Sequence, residues 1–176
     1  HLRLHNGTVW RWNRPLVGFN QRGEPHVRIE HRVVPAGPSI VDSIANTALY
    51  FGAVCALAGQ TVPAEERLSF PRARENFYRA ARHGLAAPIE WLDGAHGRLD
   101  QLCRDRLLPL ARTGLVSLGV DPAESDHWLG ILTRRLETGQ NGAAWQRAWV
   151  RRYGQDMAGL TEAYLERQQS GRPVHE

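Results

Sequence analysis

The pattern of hydrophobic and polar positions divides the chain into a β-like beginning and a helical remainder. Thr8 to Asn13 is rich in β-branched and aromatic residues, and His26 to Val34 alternates apolar with polar side chains. Both stretches predict strands, antiparallel to one another. Between them, Gly18 to Pro25 carries the glycine, asparagine and proline of a hairpin or loop. Pro35-Ala36-Gly37-Pro38 breaks the second strand. Ser39 then stands as an N-cap for a helix over 40–58, with Gly59 as its stop. Further helices are predicted over 72–83, 97–118, 122–138, 142–152 and 155–169. Leu107, Leu110, Leu115 and Leu118 recur at helical spacing. Ile89-Glu90-Trp91 suits a short strand, and the tail from Ser170 to Pro173 reads as loose. The expected fold class is α+β. Residues 1–60 would hold a strand pair and a long helix, and residues 61–176 a helical region of the same domain.

The second strand has two unlike faces. Successive side chains on a strand point to opposite sides. His26, Arg28, Glu30 and Arg32 therefore share one face, and Val27, Ile29, His31 and Val33 share the other. If the apolar face enters a core, the Arg-Glu-Arg face lies open. Same-face neighbours sit roughly 7 Å apart, which places two guanidinium groups around one carboxylate without a collapsed ion pair. A carboxylate there suits Mg²⁺, and the arginines suit phosphate or carboxylate. Arg11 and Arg14 on the preceding strand add to the charge. Through Arg32 the chain holds six arginines but only two carboxylates, Glu24 and Glu30. The plain alternative is a solvated strand with cross-strand ion pairs, each contributing about 0.2–1 kcal/mol.

Composition narrows the chemistry. All 22 cationic residues are arginines, and the formal net charge is +4. Without lysine, these residues cannot form a Walker-type phosphate loop, a Schiff base or a Ser–Lys dyad. The basic balance raises nucleic acid as a partner. However, the arginines do not cluster on one helix, and no aromatic RNA-binding motif is present. Cys55 and Cys103 are too few for a disulfide framework or a CxxC metal site, which favours a reducing cytoplasm. The apolar run from Ile40 to Ala58 contains Asp42, Ser43, Asn46 and Thr47, and reads as a buried soluble helix rather than a membrane span. The chain opens on His1, directly in strand-like sequence, and a larger parent protein is expected.

Arg28-Ile29-Glu30-His31-Arg32, a proline-containing break and a small-residue helix with Asn46 together resemble the glutamine synthetase and glutamate–cysteine ligase superfamily. His5-Asn6-Gly7-Thr8 and Arg11 resemble the family's preceding strand. Phe77 to Leu85 resembles the segment after its long helix, and Gly139 to Arg147 its Gln-Arg-containing element near the C-terminus. The Trp-Arg-Trp-Asn-Arg-Pro strand departs from the common pattern. The resemblance implies antiparallel strands of a glutamine synthetase-like sheet. It also implies ATP-dependent formation of a γ-glutamyl amide, through an acyl phosphate, from glutamate and cysteine or another small amine. It places Glu30 as a Mg²⁺ ligand, Arg28 and Arg11 on ATP phosphates, and Arg32 on the substrate carboxylate or transferred phosphoryl group. Arg14 and His5 are further members of that site. One carboxylate is too few for a multi-magnesium site, so the missing acids are expected from an N-terminal part of the same enzyme. A non-catalytic interaction module that kept the ligase fold is the alternative. A homo-oligomer is compatible with either reading.

Other residues invite blander readings. Asp42, Asn46 and Tyr50 lie on one helix stripe and suit buried hydrogen bonding or a brace for the site. Arg72, Arg74, Arg79, Arg82 and His83 suit a solvated helix face. His96 and His127 lack metal-ligand spacing. Trp145 and Trp149, four residues apart, suit core packing.

Overall fold

A computed structural model describes residues 13–33 and 37–176. The chain forms two compact units, His1–Pro35 and Ala36–Glu176. The fold is mixed α+β, with two small antiparallel sheets of two strands each among the described residues.

The first unit contains a hairpin of β1 (Asn13–Phe19) and β2 (Pro25–His31), with Arg14 opposite Glu30 and Leu16 opposite Arg28. β1 runs further along the chain than its residue preferences suggest, because the reversal is set by Asn20. Its Oδ1 accepts the backbone N–H groups of Arg22 (2.9 Å) and Glu24 (3.0 Å), and its amide donates to the Glu24 carboxylate. Gly23 supplies the positive φ of +77° that the turn needs.

In the second unit the long helix α1 spans Ile40–Ala58, as its pattern predicts. Ser39 and Asp42 cap it reciprocally: the Ser39 hydroxyl accepts from the Asp42 backbone, and the Asp42 carboxylate accepts from the Ser39 N–H. After a short turn of helix, α2 (Ala64–Arg67), comes α3 (Phe70–His83). β3 (Pro88–Glu90) pairs with β4 (His96–Arg98), so Ile89 does lie in a short strand. α4 (Leu99–Leu102) runs through a π turn at Cys103–Leu107 into α5 (Leu108–Ser117). A single uninterrupted helix was expected over this stretch. Pro109 has no N–H for the carbonyl four residues back, and the wider turn before it absorbs that mismatch. α6 (Pro122–Thr138), α7 (Gly142–Tyr153) and α8 (Met157–Ser170) complete the unit.

Small residues let α1 and α5 meet backbone to backbone. A Cβ on Gly52 would stand 2.2 Å from the Ala111 carbonyl oxygen, and one on Gly114 would stand 1.9 Å from the Gly52 carbonyl oxygen. Ala45, Ala53, Leu108, Ala111, Leu115, Leu129, Ile131 and Leu132 form the core around this contact. The long helix thus packs with the helices that follow it, whereas the pattern had grouped it with the strands. It is long and apolar enough to cross a membrane by length and composition. Its one charged residue, Asp42, is fully buried against Arg135 of α6.

The exposed stretch Ser170–Arg172 leads to an anchored residue just beyond it. Val174 is buried; its N–H donates to Asp42 Oδ1 (3.1 Å), and its carbonyl accepts from Gln140 Nε2 (2.7 Å). The Tyr164 hydroxyl donates to the Gly37 carbonyl (3.1 Å), and Tyr164 packs its ring near Trp145.

Candidate functional site: an arginine-rich hairpin face

Pairing across the hairpin decides which side chains meet. Directly opposed residues of an antiparallel pair share a face. Arg14, Leu16 and Gly18 of β1 therefore join His26, Arg28 and Glu30 of β2. The register brings Arg14 onto the Arg-Glu-Arg face, as a weaker candidate in the sequence, and makes it one of the two arginines holding Glu30. Its Nε donates to Glu30 Oε2 at 3.0 Å and its terminal nitrogen lies 2.8 Å away. Arg32, just beyond the strand, reaches the same oxygen at 2.9 Å.

The expectation of separated charges on this face is therefore overturned. The roughly 7 Å spacing separates backbone positions, not side-chain ends. The long Arg32 side chain spans it from the same chain segment, and Arg14 reaches Glu30 from the partner strand. The two guanidinium groups, Arg32 first, hold the Glu30 carboxyl below its usual range. Arg28 stands exposed, and among the described residues no ion pair engages it. Gly18 makes room beside it: a Cβ there would lie 2.7 Å from His26 Nε2 and 3.5 Å from the Arg28 guanidinium carbon. Among the described residues, three guanidinium groups against one carboxylate give this face a formal charge of +2 (three minus one).

The two faces also exchange the environments expected from sequence. Val17 (68% exposed), Phe19 (68%), Val27 (74%) and Ile29 (55%) form the other face and are solvent-exposed, whereas the Arg14 and Arg32 side chains are only 23% exposed. The apolar alternation is present, but within the hairpin unit no core covers it among the described residues. The charged side is the more sheltered one.

His5 and Arg11, assigned to the same site by resemblance, lie outside the described residues. The arrangement suits phosphate or carboxylate, since planar guanidinium groups pair with both in a bidentate manner. It does not by itself suit Mg²⁺. Among the described residues, Glu30 is the only carboxylate on the face, its Oε2 is shared by two arginines, and no group of three metal-ligating side chains occurs.

The α1 stripe resolves into packing. Asp42 and Asn46 bind Arg135, which donates to Asn46 Oδ1 at 2.7 Å and to the Asp42 carbonyl at 3.2 Å as well as to its carboxylate. Arg135 could not be singled out in advance, because it lies 93 residues from Asp42 and next to another arginine. The basic helix α3 is a solvated face: Arg79 pairs with Glu75 at 3.0 Å and Arg72 with Glu90 at 3.3 Å. Compared with known families, characterised proteins and solved structures, the chain matches none.

Proposed function

We propose that the hairpin is the anion-holding edge of an ATP-dependent carboxylate–amine ligase related to glutamate–cysteine ligases. The observation that carries this reading is the unbalanced pair of positive charges around Arg14, Arg28, Glu30 and Arg32. A reaction that passes a phosphoryl group to a carboxylate needs fixed cations where charge accumulates. Glu30 orients two of them, and Arg28 remains open to the solute. In this reading Arg28 takes a phosphate of ATP. Arg32 takes the glutamate γ-carboxylate or the transferred phosphoryl group, and a small amine then displaces phosphate from the acyl phosphate. Arg11 and His5 belong to the same site by resemblance.

The metal role proposed for Glu30 requires help. A Mg²⁺ ion would have to displace at least one guanidinium and recruit further carboxylates. These are proposed to come from an N-terminal part of the same enzyme, placing the strands within a glutamine synthetase-like sheet in the cytoplasm. The exposed apolar hairpin face fits such a continuation, because a two-stranded hairpin alone is marginal in water. The same cationic surplus supports one other reading, a non-catalytic module that binds anionic ligands on this face.

In the complete enzyme, Glu30→Ala is expected to abolish phosphate release that depends on glutamate, amine and ATP together. Near-normal turnover would remove Glu30 from the mechanism. A catalytically silent complete protein that still binds ATP through Arg28 would favour the binding module.

A further inference from the structure

A partly open pocket of about 240 Å³ lies wholly within the helical unit, between α3, the β3–β4 hairpin and the π turn. Ala73, Phe77 and Ala80 of α3 form one wall at helical spacing, and Ile89 and Trp91 form another. Leu102, Cys103 and Leu107 close it from the side of the π turn, a distortion that recurs at functional sites.

The lining offers nothing to a charged or strongly polar solute. Asn76 is its one amide, and that amide is already committed: it donates to the Glu90 carbonyl (2.6 Å) and accepts the Glu90 N–H (3.1 Å). Those two bonds tie β3 to α3 and brace the cavity open. Burial, with the nearby Asp100 charge, pushes the Cys103 thiol up to about 11, so it lines the space as a neutral group. Ordered water needs roughly two to four polar partners, which this lining does not supply. The space opens partly to solvent, so a small molecule can enter it without unfolding. An apolar cavity of about 150 Å³ already admits benzene, whereas pockets for drug-sized ligands begin near about 300 Å³. The volume falls between these limits.

We propose that this cavity is a binding site for a neutral, flat, apolar molecule of one or two rings, held between Phe77 and Trp91. The site is independent of the arginine-rich hairpin. Its ligand carries no carboxylate or phosphate, because no cation lines the cavity to receive one.

The test is an indole titration of the full chain, read by NMR on the methyl groups of Leu99, Leu102 and Leu107. Saturable shifts confined to these leucines and to Ala73 and Ala80 are expected. Indole-3-carboxylate, nearly the same size but charged, should bind at least about tenfold more weakly. Ala80→Leu fills the cavity with a good helix former and should weaken indole binding by about tenfold or more. Non-saturating shifts, shifts spread to the main-core residues Leu129 and Leu132, or equal binding of the carboxylate would overturn the site. The first two readouts need only the wild-type chain and hold even if the variant fails to fold.

Discussion

Two of the arginine–carboxylate clusters among the described residues share one chemistry but differ in stoichiometry and solvation. Around Asp42, charges balance one to one and the environment is dry: the Asp42 side chain is 0% exposed and that of Arg135 is 9% exposed. Each Asp42 oxygen is engaged: Oδ1 by Arg135 and the Val174 N–H, Oδ2 by the Ser39 hydroxyl and N–H. The Asp42 carboxylate has no capacity left for a ligand, although Arg135 Nε and Asn46 Nδ2 are buried without a protein partner, and the cluster joins α1, α6 and the C-terminal tail. Around Glu30, by contrast, three arginines face one carboxylate at a half-open surface. Water screens these charges, so their pairing adds little to stability. The cationic surplus is available to a solute. Stoichiometry and solvation, rather than residue type, separate the fastener from the proposed site.

The sharpest way to break the comparison is to remove one partner from each cluster. Arg135→Ala leaves Asp42 buried without its cation and should cost about 3–5 kcal/mol in urea unfolding. Combining it with Asp42→Ala should cost less than the two single changes summed. A loss below about 1 kcal/mol would show that water reaches the cluster. Next in size is the helix contact that frames it: Gly114→Ala should destabilise by about 1–3 kcal/mol, since its Cβ would strike the Gly52 carbonyl.

A smaller effect is expected with pH. Burial lowers the His175 pKa from its ordinary 6.5, Glu176 and Asp42 partly offset it, and Arg135 and Arg134 oppose the proton as well. The folded state therefore favours neutral His175. Its contribution is fully present above 6.5 and is lost as pH falls below that value towards the lower folded-state pKa. His175→Gln should flatten this part of the stability profile, and an unchanged slope would assign the decline to other groups. The smallest change belongs to Glu30→Gln. It should leave the unfolding midpoint nearly where it is while strengthening the retention of polyphosphate at low salt, because the face gains net positive charge. A large drop in the midpoint would make the hairpin cluster a structural fastener too.

Local signals made much of this fold readable. Ser39 as cap and Gly59 as stop bound α1 at 40–58, and Asp121-Pro122 opens α6, where the Asp121 carboxylate accepts the Ala123 N–H at 2.8 Å. The alternation that places Arg28 and Glu30 on one face was equally legible. What escaped depends on distance along the chain. Arg14 reaches Glu30 only through strand register, and Arg135 reaches Asp42 across the helical unit. The polar, glycine-containing tail gave no sign that Val174 is anchored by Asp42 and Gln140. Exposure of the apolar hairpin face was also invisible, because alternation marks which residues share a side and not what covers that side.

The central claim is that the hairpin surplus binds anions while the core cluster only holds the fold. Its most direct test is an ATP titration of the wild-type chain and Arg28→Ala, with the urea midpoint of each measured in the same buffer. The account predicts saturable, salt-sensitive binding to the wild type, at least about tenfold weaker binding to the variant, and matching midpoints. Equal affinity for ATP in both proteins, or no saturable binding to the wild type, would contradict it.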